Sequence, residues 1–512
     1  MSWLTGLRDP WTEEAMALEL DSEGRIARIA RLTDGAFPSR GASECTDLGG
    51  QYVLPGFIDS HCHILPMGLD FQKLHLGVCT SPDEVLDAVQ QRHADLPGNE
   101  WLHAVHYDQT KFASGEHLHR SQLDAISPDR PILLRHVNGH ASVANTAALV
   151  AAGVTPATED PKGGTLVRDA SGELTGVLLE RAHEAVTQSA PEPTLSQMVE
   201  AILEAGVRMS QLGITAATDM MTGRWNLARE LEAYHLAAEQ GCRVRLRMYV
   251  QWATRLGPRG LAEDRWSELI SAMKPELCAV LGLKIFADGA IGSATAAVYE
   301  PFPDGSLGTL IYEPDRLNQM VLQAAEAGYA VAIHSIGDRS TDLVMDAFAA
   351  TSDTTRHRLE HAMILSDAQL DRLRQLDCRV TMQPEFLLRF GHSYRRQLGP
   401  ERAFRLKRMR SVLDAGLRLS LSSDRPIVAG DPWDGIRSAV QRPEGFDPAE
   451  ALTWAEAVGG YTRAGAEAND DAGTQGELAP GCWADFQLYA ENPLQRPSHP
   501  QQVWRAGKRI TS

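Results

Sequence analysis

Two histidines, His61 and His63, end an apolar run, GFIDSHCH (56–63). Alternate side chains on a strand share a face, so both imidazoles can reach one ion while Cys62 points to the packed side. Alone, such a pair is a weak metal signal. Its company strengthens it: His334 closes AVAIHSIG (330–337), His361 closes RHRLEHA (356–362) and Asp424 closes LRLSLSSD (417–424). Imidazoles and a carboxylate at the C-terminal ends of parallel strands converge where barrel enzymes keep their active sites. This donor set suits zinc or another first-row divalent ion rather than calcium or magnesium. Lys284, in LGLKIFADG (281–289), is harder to place. An unmodified ammonium repels a metal, which leaves two readings: a lysine paired with Asp288, or a lysine carboxylated by carbon dioxide that bridges two metals. Spacing does not choose between them.

The chemistry such a set supports is hydrolysis. A divalent ion lowers the pKa of a bound water from about 15.7 to about 7. Asp424 is placed to act as general base, taking the proton as water attacks and handing it to the leaving group. A histidine donor, with His361 the candidate, would help polarise the scissile carbonyl. Asp338 and Glu360 are candidates to orient ring nitrogens, with surface or helix-start ion pairs as the equal alternative. In RHVNGH (135–140), Arg135 and His140 are candidate substrate contacts, beside His136 and Asn138. Arg425 would hold an anionic group of a substrate or sit in an exposed ion pair. Trp252 and Phe386 are candidate apolar walls, although aromatics near strand ends are more commonly plain packing.

These residues need a scaffold. Short apolar runs at 56–63, 214–220, 244–250, 281–289, 330–337, 356–362, 379–384 and 417–424 make eight strands. Amphipathic stretches lie between most of them, including LSQMVEAILEAGVRMSQLG, PDRLNQMVLQAAEAGY and SDAQLDRLRQL. The alternation predicts parallel βα units closed into a (β/α)8 TIM barrel. Residues 68–192, with strand-like EWLHAVHY and PILLRHV and a hairpin-like GGTLVRDASGELTGVLLE, read as a subdomain inserted after strand 1, over the barrel mouth. Both ends are β-rich, which predicts a small β-sandwich domain built from both termini. The expected division is 1–54 and 471–512 for that domain, 55–67 for strand 1, 68–192 for the insertion and 193–470 for the rest of the barrel.

Bulk properties narrow the partners. At 512 residues the chain fits a barrel of about 250 residues with insertions and a satellite domain. A formal net charge of −18 repels phosphate backbones, so no nucleic-acid partner is expected. There is no basic segment leading into an apolar run at the start, and no stretch approaches the ~20 apolar residues of a membrane span. The 7 cysteines (45, 62, 79, 242, 278, 378 and 482) never form a CxxC pair and read as reduced thiols. The expectation is a cytoplasmic protein acting on a small molecule, compatible with a homodimer.

Several segments carry a family resemblance: LPGFIDSHCH (54–63), RHVNGHASVANTAAL (135–149), LTGVLLERA (174–182), KIFADGAIGSATA (284–296), AIHSIGDRS (332–340), RHRLEHA (356–362), LSSDRPI (421–427) and GELAPGCWADF (476–486). Together they resemble the amidohydrolase superfamily, in the branch of N-substituted formamide deformylase and its YtcJ-like relatives. The resemblance implies that His61, His63, Lys284, His334, His361 and Asp424 hold one or two metal ions, with Lys284 carboxylated. His140 matches the position of a DGH-like motif in the family, whereas Arg425 departs from the small or aromatic residue common there. The activity implied is cleavage of a carbon–nitrogen, amide-type bond other than a peptide bond, as in an N-formyl or N-acyl amine. Opening of a cyclic amide or imide, or deamination, is the alternative on the same site. A non-catalytic regulatory protein on this scaffold would be expected to have lost ligands, yet all six positions are intact.

Overall fold

The protein is described by a computed structural model covering residues 2–34, 45–98, 100–137, 141–161 and 164–511. Its centre is a run of eight parallel strands: β1 (Phe57–Cys62), β2 (Ile214–Thr222), β3 (Arg245–Gln251), β4 (Cys278–Phe286), β5 (Ala330–Ser335), β6 (Arg358–His361), β7 (Arg379–Met382) and β8 (Arg418–Leu421). Neighbours in sequence are neighbours in the sheet. Most of their residues are buried regardless of alternation, as expected of parallel strands covered on both faces. The ends meet through two backbone bonds just past the strands, Asp424 N to His61 O and His63 N to Arg425 O, each 2.8 Å. The bonds that close the barrel thus run through its candidate ligands.

Local sequence explains the helices that return the chain. Leu195–Gln211 precedes β2, Pro314–Glu326 precedes β5 and Asp367–Leu376 precedes β7. Pro314 opens its helix at the first turn, where its missing N–H costs nothing. Ser366 caps the third helix, accepting from Gln369 N while the Gln369 side chain accepts from Ser366 N.

The two termini share one seven-stranded sheet, in the order 508–509, 502–505, 486–489, 45–55, 2–8, 15–20, 26–31. Leu4, Leu18 and Ile26 from one end share a core with Phe486 and Leu488 from the other, so the sheet packs its halves on one another. Arg245, at the start of β3, ties it to the barrel through a buried paired contact with Asp485, at 2.8 and 3.3 Å.

Residues 1–67 and 202–512 form one compact unit and residues 68–201 another. The second unit holds a six-stranded sheet, in the order 164–168, 174–180, 141–144, 132–136, 102–107, 74–75. The hairpin read from the sequence is there, Gly164–Arg168 antiparallel to Leu174–Glu180.

Candidate active site

Glu360 organises the centre of the site. Its Oε2 lies 2.5 Å from His61 Nδ1, and its Oε1 lies 2.8 Å from Arg358 Nε. Burial alone would raise the Glu360 pKa, but Arg358 and the contact with His61 outweigh it and hold the carboxyl down to about 2. A carboxylate can only accept, so His61 Nδ1 carries the hydrogen and Nε2 is left bare. That bare nitrogen lies 3.4 Å from Asp424 Oδ1, and His63 Nε2 lies 2.9 Å from the same oxygen.

His361 is set in the same way by a different residue. Its Nδ1 is 2.9 Å from Gln383 Oε1, and its ring lies 4.7 Å from His61 and 4.5 Å from His334. One donor atom each from His61, His361 and Asp424 falls within 4.8 Å of the others, all three residues buried. Burial, followed by His334 and His61, pushes the His361 pKa well down, so the ring is neutral with a lone pair to offer. His361 and Asp424 both hold left-handed backbone, φ 73° and 60°, which costs non-glycine residues roughly 1–3 kcal/mol and concentrates at functional sites.

Lys284, on β4, has no hydrogen-bond partner for its buried Nζ, which lies 5.1 Å over the ring of Phe286. Burial pushes its pKa down to about 8, against the pull of Glu360 and Asp424. It is not paired with Asp288. That carboxylate accepts from Ile336 N, Gly337 N, Ala297 N and Ser340 Oγ at 2.7–3.0 Å, pinning the loop after β4 to the loop after β5. A Cβ on Gly337 would meet Ala297 O at 1.8 Å, which explains the glycine. His334 sends Nε2 to Gly289 O at 3.0 Å, and burial pushes its pKa down to about 3, with Lys284 acting in the same sense.

The donor set fits a divalent ion. Bare imidazole nitrogens and a carboxylate converge, and buried His63 Nδ1 and Lys284 Nζ have no partner. Unpaired buried groups of this kind are costly unless something binds them.

Other candidates fall elsewhere. Cys62 is buried away from the donors, with Sγ on Thr218 O at 3.3 Å. Asp338 accepts from Tyr299 N and Arg339 N at 3.0 Å rather than from a ligand histidine. Arg425 is not in an exposed ion pair: it is 4% exposed and turned into its own loop, Nη2 donating to Ala429 O at 2.6 Å. Arg135, within the second unit, pairs with Asp70 at 2.5 Å. Asn138 and His140 lie outside the described residues. Trp252 is buried with the Arg316 guanidinium 5.0 Å over its ring, and Phe386 stacks on His361 at 6.4 Å.

Gln383 and Lys407 escaped the sequence reading. Gln383 had a signal, since it follows β7, the one later strand to which no chemistry was given. Lys407 had none: RLKRMR reads as a solvated basic run.

A profile described as the amidohydrolase family matches residues 44–511. The chain belongs to the amidohydrolase family. The YtcJ amidohydrolase of Bacillus subtilis is 31% identical over 464 residues, covering 88% of this chain and 86% of its own. N-substituted formamide deformylase of Arthrobacter pascens is 27% identical over 497 residues, covering 93% and 90%. Among solved structures, an uncharacterized metal-dependent hydrolase from Pyrococcus furiosus superposes with a TM-score of 0.80 at 25% identity, covering 96% of this chain and 99% of that one. This amidohydrolase thus matches its relatives over both the barrel and the two-ended sheet. Among its described residues no helix is long and apolar enough to cross a membrane.

Proposed function

We propose that this amidohydrolase is a metal-dependent hydrolase of a small linear amide, an N-formyl or N-acyl amine, with zinc as its metal. The observation that carries this is the convergence of His61, His361 and Asp424 donor atoms within 4.8 Å, beside His63. The match to a formamide deformylase supports the choice of bond. A divalent ion held by these residues supplies a positive charge that polarises the scissile carbonyl and acidifies water. Asp424 takes one proton from the attacking water as the new carbon–oxygen bond forms, then gives it to the nitrogen as the carbon–nitrogen bond breaks. Burial would raise the Asp424 pKa, but His61 and His63 hold it well below the usual range, so the group is a carboxylate with a lone pair to accept a proton. Glu360 and Gln383 keep His61 and His361 in the tautomer that turns a lone pair to the site. Lys284, buried without an acceptor, is proposed to be carboxylated, which would add two carboxylate oxygens to the residues able to hold metal.

Metal analysis of purified protein tests this, followed by chelation, zinc restoration and a screen of formamides, acyl amines, lactams and carbamates. One or two equivalents of metal and chelator-sensitive turnover of a formamide or acyl amine are expected. Full activity without metal, or turnover confined to lactams, would overturn it.

A further inference from the structure

We infer that Lys407 is a positioning residue that sets which nitrogen of His361 faces the metal, acting through Gln383; this rests on the metal-site reading above. Lys407 is fully buried, in the segment before Met409–Asp414. Among the described residues its ammonium meets no carboxylate. It donates to His361 O at 3.1 Å and to Gln383 Oε1 at 2.9 Å, and lies 5.2 Å over the ring of Phe386. Phe386 is itself stacked on the His361 imidazole, at 6.4 Å and 13°. Every one of these contacts is made to His361 or to a group that touches it.

Burying a lysine with no ion-pair partner is costly, and burial pushes its pKa well below the usual lysine value, whereas an apolar side chain would fill the same volume without that cost. What lysine adds is donors and nothing else. A glutamine amide presents an acceptor at one end and donors at the other, and the two ends have nearly the same shape. Lys407 breaks that symmetry, because an Nζ that donates to both His361 O and Gln383 can meet only the Oε1 end of the amide. Gln383 Nε2 then donates to Ser422 Oγ at 3.0 Å. The second lone pair of Oε1 meets His361 Nδ1, which must carry the hydrogen, so Nε2 is bare toward the donor cluster. Without Lys407 the amide can turn its NH2 to Nδ1. That selects the other tautomer, whose N–H points where an ion needs a lone pair.

The test is zinc and cobalt binding by the full chain, with 15N spectra of histidine-labelled protein reporting the tautomers. Lys407→Met is expected to weaken both metals about 10–100-fold, the range for outer partners of a ligand histidine, and to give His361 a mixture of tautomers. Adding Gln383→Glu to Lys407→Met is expected to restore binding, because a carboxylate only accepts and fixes Nδ1–H without the lysine. Should Lys407→Met not fold, Gln383→Met carries the same expectation of weakened metal and mixed tautomers. Wild-type affinity and one unchanged His361 tautomer in Lys407→Met, or in Gln383→Met, would overturn the inference alone. A wild-type protein that binds neither metal would overturn it together with the proposed function.

Discussion

His61 Nδ1 and Glu360 Oε2 lie 2.5 Å apart, both closed off from solvent, and the carboxylate is backed by Arg358 at 2.8 Å. Glu360→Gln keeps the shape but removes the charge that Arg358 and the ring share. Breaking one partner of a buried pair costs about 3–5 kcal/mol, and loss of an outer partner weakens metal binding about 10–100-fold. Denaturant unfolding and zinc titration should show both losses; a variant equal to wild type in both would mean that Glu360 does not orient His61.

Asp424→Asn should keep much of the metal, since an amide oxygen can still face the cluster, yet lose turnover. General acid–base groups contribute about 10²–10⁴-fold, and the loss should appear in kcat with little change in KM. Steady-state kinetics on the best substrate found checks this, and a variant with wild-type kcat would remove Asp424 from proton transfer.

Lys284 has a buried Nζ and no acceptor. Attack of the neutral amine on carbon dioxide forms an N–C bond and releases one proton, leaving a carbamate with two oxygens. Protein loaded with zinc in 13C-bicarbonate should show one carbamate carbon signal, absent in Lys284→Met. That variant should also lose most turnover, with partial recovery on adding short-chain carboxylates. An unmodified lysine beside a fully occupied site would point to a single ion held by the histidines and Asp424.

His357 supplies a pH prediction away from the site. Its Nδ1 accepts from Val331 N at 3.2 Å, and burial pushes its pKa down to about 4 from an ordinary 6.5. Between those values the unfolded chain binds a proton that the folded chain refuses, so stability is lost as pH falls from 6.5 toward 4. His357→Gln keeps an acceptor for Val331 but cannot titrate. The unfolding free energy should fall less between pH 7.5 and pH 4.5 in the variant, by about 2 kcal/mol. An equal fall in both proteins would show that His357 does not titrate across this range.

The eight barrel strands were legible because a parallel strand covered on both faces must be a short apolar run, whatever its neighbours are. The same period put His61, His63, His334, His361 and Asp424 at or just past strand ends, which is why residue type and position alone made them candidates; of these the structure brings donor atoms of His61, His361 and Asp424 within 4.8 Å of one another. The inserted sheet and its hairpin were legible too, from the turn residues between Gly164–Arg168 and Leu174–Glu180. Arg425 could not be assigned: whether a guanidinium faces a substrate, solvent or its own loop depends on the path of the loop, and Ala429 O captures it. Pairing of Lys284 with Asp288 was one of two readings that spacing left open, and it fails because three backbone N–H groups and a hydroxyl claim Asp288.

Residue type and spacing therefore determined which side chains reach the mouth of the barrel, since that follows from the two-residue period of a strand and its direction. Tertiary structure alone decided which atom of each side chain faces the site. A ring nitrogen is bare or protonated according to its other partner. For His61 that partner is Glu360, 299 positions away, and for His361 it is Gln383, itself held by Lys407 from 24 positions away. No local pattern encodes such a pairing, because it exists only once the strands stand side by side.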